Sequence, residues 1–234
     1  MTQKRPLMIF AAGFGTRMRP LTDERPKPLV AVAGKPLLDF ALDIGLTAES
    51  DPIVVNTHYK ASMIKDHLAD TQIQIIHETP EILDTGGGLR NALPNLGKGA
   101  VATLNSDAVW SNNQALVDLW RAWKPSEMDA LLSLVPKDRA IGHGGTGDFD
   151  QDDHGRIQFR RTDHATYVFT GLQIMKTNRL FDFPARAFSL KSVWQTMAND
   201  DALYGQVYDG SWCDVGSPAS ISLAETLLRK TANG

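Results

Sequence analysis

The chain has 234 residues, 42% of them apolar, enough to bury a sizeable core as one large domain or one domain with a small appendage. Its formal net charge of −3 argues against a global basic field for nucleic acid, so any anion site must be local. A single cysteine, Cys213, excludes an internal disulfide, and no run of about 18 apolar residues offers a membrane span. The polar opening Met1 to Pro6 leads into an apolar run too short for a signal-peptide core. A cytoplasmic protein is the expectation.

In chain order, residues 7–12 (LMIFAA) form a short apolar run without alternation, the pattern of a strand buried on both faces. A polar, proline-punctuated loop follows to about Gly34, then a helix over 36–45 with proline in its first turn. Strands are predicted over 52–56, 73–77, 100–104 and 130–135, and helices over 61–68, 86–93 and 113–123. This alternation predicts a parallel sheet with crossover helices. After Pro136 the pattern changes. A glycine-rich loop spans 143–148, and a strand pair is predicted over 156–161 and 166–169, with a separate strand over 172–175. A helix over 190–198, a strand over 203–208 and a closing helix over 218–229 with Ser217 as N-cap complete the chain. The second part is expected to extend the same sheet and to build an acceptor lobe.

The stretch Gly13-Phe14-Gly15-Thr16-Arg17-Met18-Arg19-Pro20 is the most informative. Two glycines after a buried strand let backbone N–H groups approach a ligand closely. Arg17, Arg19 and Lys27 place three cations within eleven residues. Arginine forks match phosphate geometry and lysine adds a point charge, so a triphosphate or pyrophosphate is the natural partner. Surface charge in an ordinary loop accounts for Arg19 or Arg25 equally well. The dinucleotide fingerprint fails because Met18 stands where its third glycine belongs, and no P-loop Gly-Lys-Ser/Thr occurs.

Two aspartates follow strands, Asp107 in Asn105-Ser106-Asp107 and Asp214 in Trp212-Cys213-Asp214-Val215-Gly216-Ser217. Mg²⁺ is commonly held by one or two carboxylates plus substrate phosphates, which such a pair would suit. An aspartate at a strand end also serves as a turn or helix cap. Glu78 and Asp84-Thr85-Gly86-Gly87-Gly88 form a further group, in which the glycines permit close approach of a ring or phosphate, or only the turn of a capped helix. The six histidines show no metal-ligand spacing.

The run from Ala11 to Thr22, with Pro26-Lys27-Pro28-Leu29-Val30 and Gly34-Lys35-Pro36-Leu37, resembles the opening motif of sugar-1-phosphate nucleotidyltransferases. The triple glycine and Gly147-Asp148-Phe149 resemble most the subgroup of N-acetylmuramate 1-phosphate uridylyltransferases and mannose-1-phosphate guanylyltransferase-like proteins. The resemblance covers residues 9 to about 228. It implies an α/β fold, a Rossmann-like core of the glycosyltransferase-A type: a mixed, mostly parallel central sheet flanked by helices, with a small sugar-binding extension. The expectation is a single domain over 1–234, with 1–135 mainly nucleotide-binding and 136–234 mainly sugar-binding.

By the same resemblance, Arg17 and Lys27 are catalytic at the phosphates, and Asp107 and Asp214 hold Mg²⁺, with Ser106 in place of a usual glycine. Ala11, Ala12, Gly13, Gly15, Thr16, Glu78, Thr85, Gly86 and Gly87 are expected at the nucleotide, and Asn105, Gly147, Asp148, Thr170 and Gly171 at the sugar. Lys191 is displaced from the family's lysine and carries no assignment. The partners implied are a nucleoside triphosphate and a sugar 1-phosphate, with no nucleic acid and no membrane. UTP with N-acetylmuramate 1-phosphate is the leading pair. Alternatives are GTP with mannose 1-phosphate, a non-sugar acceptor such as choline phosphate, or a nucleotide-binding module without catalysis. No hexapeptide β-helix repeat is present, and a monomer is expected.

Overall fold

A computed structural model describes residues 5–97 and 99–232; the start at residues 1–4, read above as no signal peptide, lies outside the described residues. The strands are β1 (Leu7–Phe10), β2 (Ala31–Val32), β3 (Lys35–Pro36), β4 (Ile53–Thr57), β5 (Gln74–His77), β6 (Ala100–Asn105), β7 (Ala108–Trp110), β8 (Ala130–Pro136), β9 (Ala140–Ile141), β10 (Phe149–Gln151), β11 (Ile157–Phe159), β12 (Tyr167–Lys176), β13 (Leu203–Val207) and β14 (Trp212–Asp214). The helices are α1 (Leu21–Glu24), α2 (Leu37–Thr47), α3 (Ala61–His67), α4 (Asp84–Leu96), α5 (Ala115–Ala122), α6 (Leu190–Asn199) and α7 (Pro218–Ala232).

The main sheet runs β5-β4-β1-β6-β12-β8-β13, with the β10–β11 hairpin also joined to β12. Pairings β1–β4, β1–β6, β4–β5 and β8–β13 are parallel, while β12 runs against both β6 and β8. The expected mixed, mostly parallel sheet is therefore present. In β1, Leu7 and Ile9 face one core and Met8 the other, which is why the run shows no polar alternation. Helices α2, α3 and α5 supply one face, and α4 and α6 the other. Leu37, Leu38, Ala41, Leu42, Ile44 and Gly45 form the buried stripe of α2, the spacing of an amphipathic helix.

The second half departs from the sequence expectation in three places. Residues 166–169 and 172–175 belong to one strand, β12, whose pairing with β8 shifts register between Phe169 and Gln173. Gly171 sits in that irregularity at φ 90°, and a bulge built on such a glycine reads in sequence as a break between strands. The partner of β11 is β10, in register Phe149↔Phe159, rather than the 166–169 segment; at three residues, β10 is too short to show a period. Asp214 ends its own strand, β14, in a separate three-stranded sheet β7-β14-β9.

A third core cluster joins this small sheet to the first loop. Met18, Val30, Val32, Leu37, Val109, Cys213, Val215, Ala224 and Leu227 pack together. The residue that broke the dinucleotide fingerprint is thus an anchor: Met18 is wholly buried, worth roughly 1.5–3 kcal/mol of transfer free energy, and it pins the loop carrying Arg17. Cys213 lies in the same cluster and burial pushes its thiol up to about 12, so it is an inert packing residue. No helix among the described residues is long and apolar enough to cross a membrane.

Candidate functional site

Strands β1, β4, β5 and β6 are parallel, so their carboxyl ends open on one edge of the sheet, where ligands of open α/β folds sit. An open cavity of about 280 Å³ lies there. Among the expected residues, Ala11, Ala12, Gly13, Gly15, Lys27, Glu78, Thr85, Asn105 and Asp107 line it. Phe10, Pro28, Asn56, Ile82, Asp84 and Ser106 complete the wall; the sequence reading did not place these six at the ligand.

The glycine loop is held from beneath. Gly15 has φ 63° and begins the 3₁₀ turn Thr16–Met18; a Cβ on it would meet Lys27 Cβ at 2.8 Å. The Thr22 hydroxyl donates to the Gly15 carbonyl, and the Tyr59 hydroxyl donates to the Thr22 carbonyl, both at 2.9 Å. Gly13 differs: a Cβ there would meet nothing within 4 Å. The protein itself leaves that space free, and it opens on the cavity.

Charge gathers at two adjoining points. The Lys27 ammonium donates to Asp107 Oδ2 at 2.9 Å, with the lysine 12% and the aspartate 31% exposed. On the neighbouring strand of the small sheet, Asp214 stands opposite Ala108, and the Val215 N–H donates to the Asp107 carbonyl at 2.9 Å. One backbone hydrogen bond therefore links the chain at Asp107 to the chain beside Asp214. The Arg17 guanidinium and the Asp214 carboxylate border the same side of Gly216, where a Cβ would lie 3.3 and 3.2 Å from them. His143 Nδ1 lies 3.8 Å from Asp214 Oδ2. The Asp214 carboxylate, helped by Asp148, raises the imidazole above its usual 6.5 against burial and Arg17. The sequence reading passed over His143 because it belongs to no histidine spacing; only the fold of the 143–148 loop brings it to Asp214. Ser106 donates its hydroxyl to the Phe10 carbonyl at 2.6 Å and so ties the end of β6 to β1.

The 78–88 segment holds several of the expected nucleotide residues in bonds within the protein. Glu78 is 1% exposed. Its Oε1 accepts from Asn56 Nδ2 and its Oε2 from the Leu83 N–H, both at 2.7 Å, while Asn56 Oδ1 accepts from the Ala11 N–H at 2.8 Å. The carboxylate is thus engaged inside the protein. Gly86 and Gly87 do not line the cavity. Their N–H groups donate to the Phe188 carbonyl at 2.8 and 3.1 Å, and Cβ atoms there would overlap the Phe188 ring and the Arg186 carbonyl. These glycines admit the 186–188 segment rather than a ligand. Thr85 borders the cavity, but its hydroxyl accepts from the Leu190 N–H at 2.9 Å and so caps α6.

Of the residues expected at the sugar, Asn105 lines the cavity and lies over Gly171, where a Cβ would meet its Cβ at 2.8 Å. Thr170 is 1% exposed and its hydroxyl donates to the Ser133 carbonyl at 2.9 Å, which takes the side chain away from any ligand. Asp148 is half-buried, one oxygen accepting from the Phe169 N–H at 3.0 Å. Gly147 packs beneath the Ala165 carbonyl. Thr16 is exposed in the 3₁₀ turn. Among the described residues, no group of three or more histidine, cysteine, aspartate or glutamate side chains comes together as a self-sufficient metal cage.

A glycine loop, paired cations and two carboxylates at the carboxyl edge of a mixed sheet define a phosphate-handling site. Residues 7–231 match the Nucleotidyl transferase family, and the chain belongs to it. It is a sugar-1-phosphate nucleotidyltransferase, taking a nucleoside triphosphate and a sugar phosphate as substrate classes. The chain is 38% identical over 231 residues to the N-acetylmuramate alpha-1-phosphate uridylyltransferase of Caulobacter vibrioides, covering 94% of this chain and 96% of that one. A protein of the same name from Neisseria meningitidis serogroup B is 30% identical over 226 residues, with 94% and 96% covered. The fold matches the inositol-1-phosphate CTP transferase of T. maritima with a TM-score of 0.80 at 19% identity, covering 99% of this chain and 97% of that one.

Proposed function

We propose that the chain transfers a uridylyl group from UTP to N-acetylmuramate 1-phosphate, with Mg²⁺ held between Asp107 and Asp214, as a monomer in the cytoplasm. The observation that carries the substrate pair is the end-to-end likeness to the Caulobacter vibrioides enzyme of that name. The donor set fits the metal: two carboxylates on adjoining segments, with no third acidic or imidazole cage among the described residues, match an ion that leaves most of its coordination to water and substrate phosphates. Bound there, such an ion would supply charge neutralisation at the substrate phosphates.

The chain's own groups do the rest. The acceptor phosphate needs no strong general base, because its second pKa is about 6 and it is already ionised at neutral pH. Its oxygen forms a bond to the α-phosphorus as the bond to the bridging oxygen breaks, and pyrophosphate leaves with the electron pair. Lys27 and Arg17 stabilise the charge on the phosphates during transfer. Backbone of Ala11, Ala12, Gly13, Gly15 and Thr16 cradles the triphosphate, and the open space beside Gly13 supports that placement. On this reading residues 1–135 serve mainly the nucleotide and 136–234, with Gly147 and Asp148, mainly the sugar, to which Asn105 adds one contact from the first part. The test is a panel of the four nucleoside triphosphates against N-acetylmuramate, mannose, glucose and N-acetylglucosamine 1-phosphates, with products identified by mass. UTP with N-acetylmuramate 1-phosphate is expected to give the largest kcat/KM; GTP with mannose 1-phosphate as the productive pair contradicts the reading.

A further inference from the structure

A buried polar chain crosses the carboxyl edge of the sheet from the end of β1, past β4, to the segment after β5, and residues along it line the cavity. One end is the Ala11 N–H, on the wall made by the glycine loop. The other is the Leu83 N–H, between Ile82 and Asp84, which also line the cavity. Only Asn56 and Glu78, 3% and 1% exposed, stand between them.

The donor and acceptor inventory makes this pair restrictive. Both ends of the chain are backbone donors, so the two side chains must present an acceptor outward at each end. Between themselves they must match one donor with one acceptor. Asparagine facing glutamate satisfies this. Asparagine facing glutamine cannot, because one carboxamide NH₂ must then point at another donor. Aspartate facing glutamate puts two acceptors together and satisfies the pattern only if one carboxyl takes up a proton. Aspartate at 56 facing glutamine at 78 satisfies the pattern again, with charge and volume nearly unchanged. Gly88 completes the enclosure: a Cβ on it would lie 2.6 Å from Glu78 Oε1 and 3.1 Å from Asn56 Nδ2. The third glycine of the run at 86–88 therefore makes room for the polar chain.

We propose that Asn56 and Glu78 are positioning residues that fix the glycine loop at Ala11 relative to the segment 82–84, so that nucleotide affinity depends on their hydrogen-bond pattern rather than on a contact between Glu78 and the ligand. This rests on the cavity being the nucleoside triphosphate site.

Four proteins test it: wild type, Glu78→Gln, Asn56→Asp, and the double variant carrying both. Affinity and KM are measured for the nucleoside triphosphate that wild type turns over, UTP on the reading above, alongside KM for the sugar phosphate and the thermal midpoint. Glu78→Gln leaves one buried group mismatched, and Asn56→Asp either leaves a mismatch or forces proton uptake. In each single variant the nucleotide KM is expected to rise about 10- to 100-fold with little change in the acceptor KM, and the double variant to recover most of the loss. Where the single variants fold poorly, the double variant is expected to melt above both and to bind nucleotide. Single variants that bind nucleotide like wild type, a double variant no better than the worse single one, or equal losses toward both substrates overturn the proposal. A wild type that binds none of the four nucleoside triphosphates contradicts the functional reading instead.

Discussion

Lys27 and Asp107 meet at 2.9 Å before any ligand arrives, and the lysine is only 12% exposed. Its cation is therefore fixed where a phosphate would come to lie, and its positioning entropy is spent in folding rather than in the reaction. Lys27→Ala is expected to lower kcat/KM by roughly 10²- to 10³-fold while circular dichroism stays native; activity near wild type contradicts its role. The residues legible in the sequence were those whose chemistry is local. Arg17 and Lys27 are read from charge and glycine lying close together in the chain, and Asp107 from its strand end and a family-like motif, although it lies 80 positions from Lys27. Asn56 and His143 could not be read so, since their partners stand 22 and 71 positions away: the first reads as an ordinary strand residue, the second as part of a glycine-rich loop. Thr170 and Gly87 are read from motif position, which says nothing of their own hydrogen bonds. The Thr170 hydroxyl and the Gly87 N–H bond within the protein, to the Ser133 and Phe188 carbonyls.

At the scale of elements, Asp129 joins three of them. It accepts from Lys176 at the end of β12, at 2.9 Å, and from Arg179 just beyond, which also pairs with Asp200 after α6. Burial alone would raise the Asp129 carboxyl, but hydrogen bonds from Lys176 and Arg179 prevail and hold it below 3.8. A depressed carboxyl stabilises fully above its unfolded pKa and loses that contribution as the pH falls through its folded value. Asp129→Asn is therefore expected to cost about 1–3 kcal/mol at neutral pH. Urea unfolding should show the gap closing as the pH drops below 3.8; a gap independent of pH contradicts the ionic account. Similarly, Gly86→Ala drives a methyl into Phe188, and about 1–3 kcal/mol of destabilisation is expected from such overpacking, read as a lower thermal midpoint. The elements legible in the sequence were the long periodic helices and the two-faced buried strands. The small sheet β7-β14-β9 was not, because its strands have two or three residues and are held by non-local pairing.

Over the whole molecule, the antiparallel strand β12 divides the parallel strands into two groups, and the small sheet folds back to bring Asp214 beside the end of β6. The site is thus assembled from the first, middle and last thirds of the chain, which is why fold class was legible from alternation while the closing of the site was not. The account depends on Asp107 and Asp214 acting together. The most direct measurement is pyrophosphate release by wild type, Asp107→Ala and Asp214→Ala with saturating Mg²⁺. The account predicts metal-dependent release by wild type and a loss of roughly 10²- to 10³-fold in each variant; near wild-type release by either variant contradicts it.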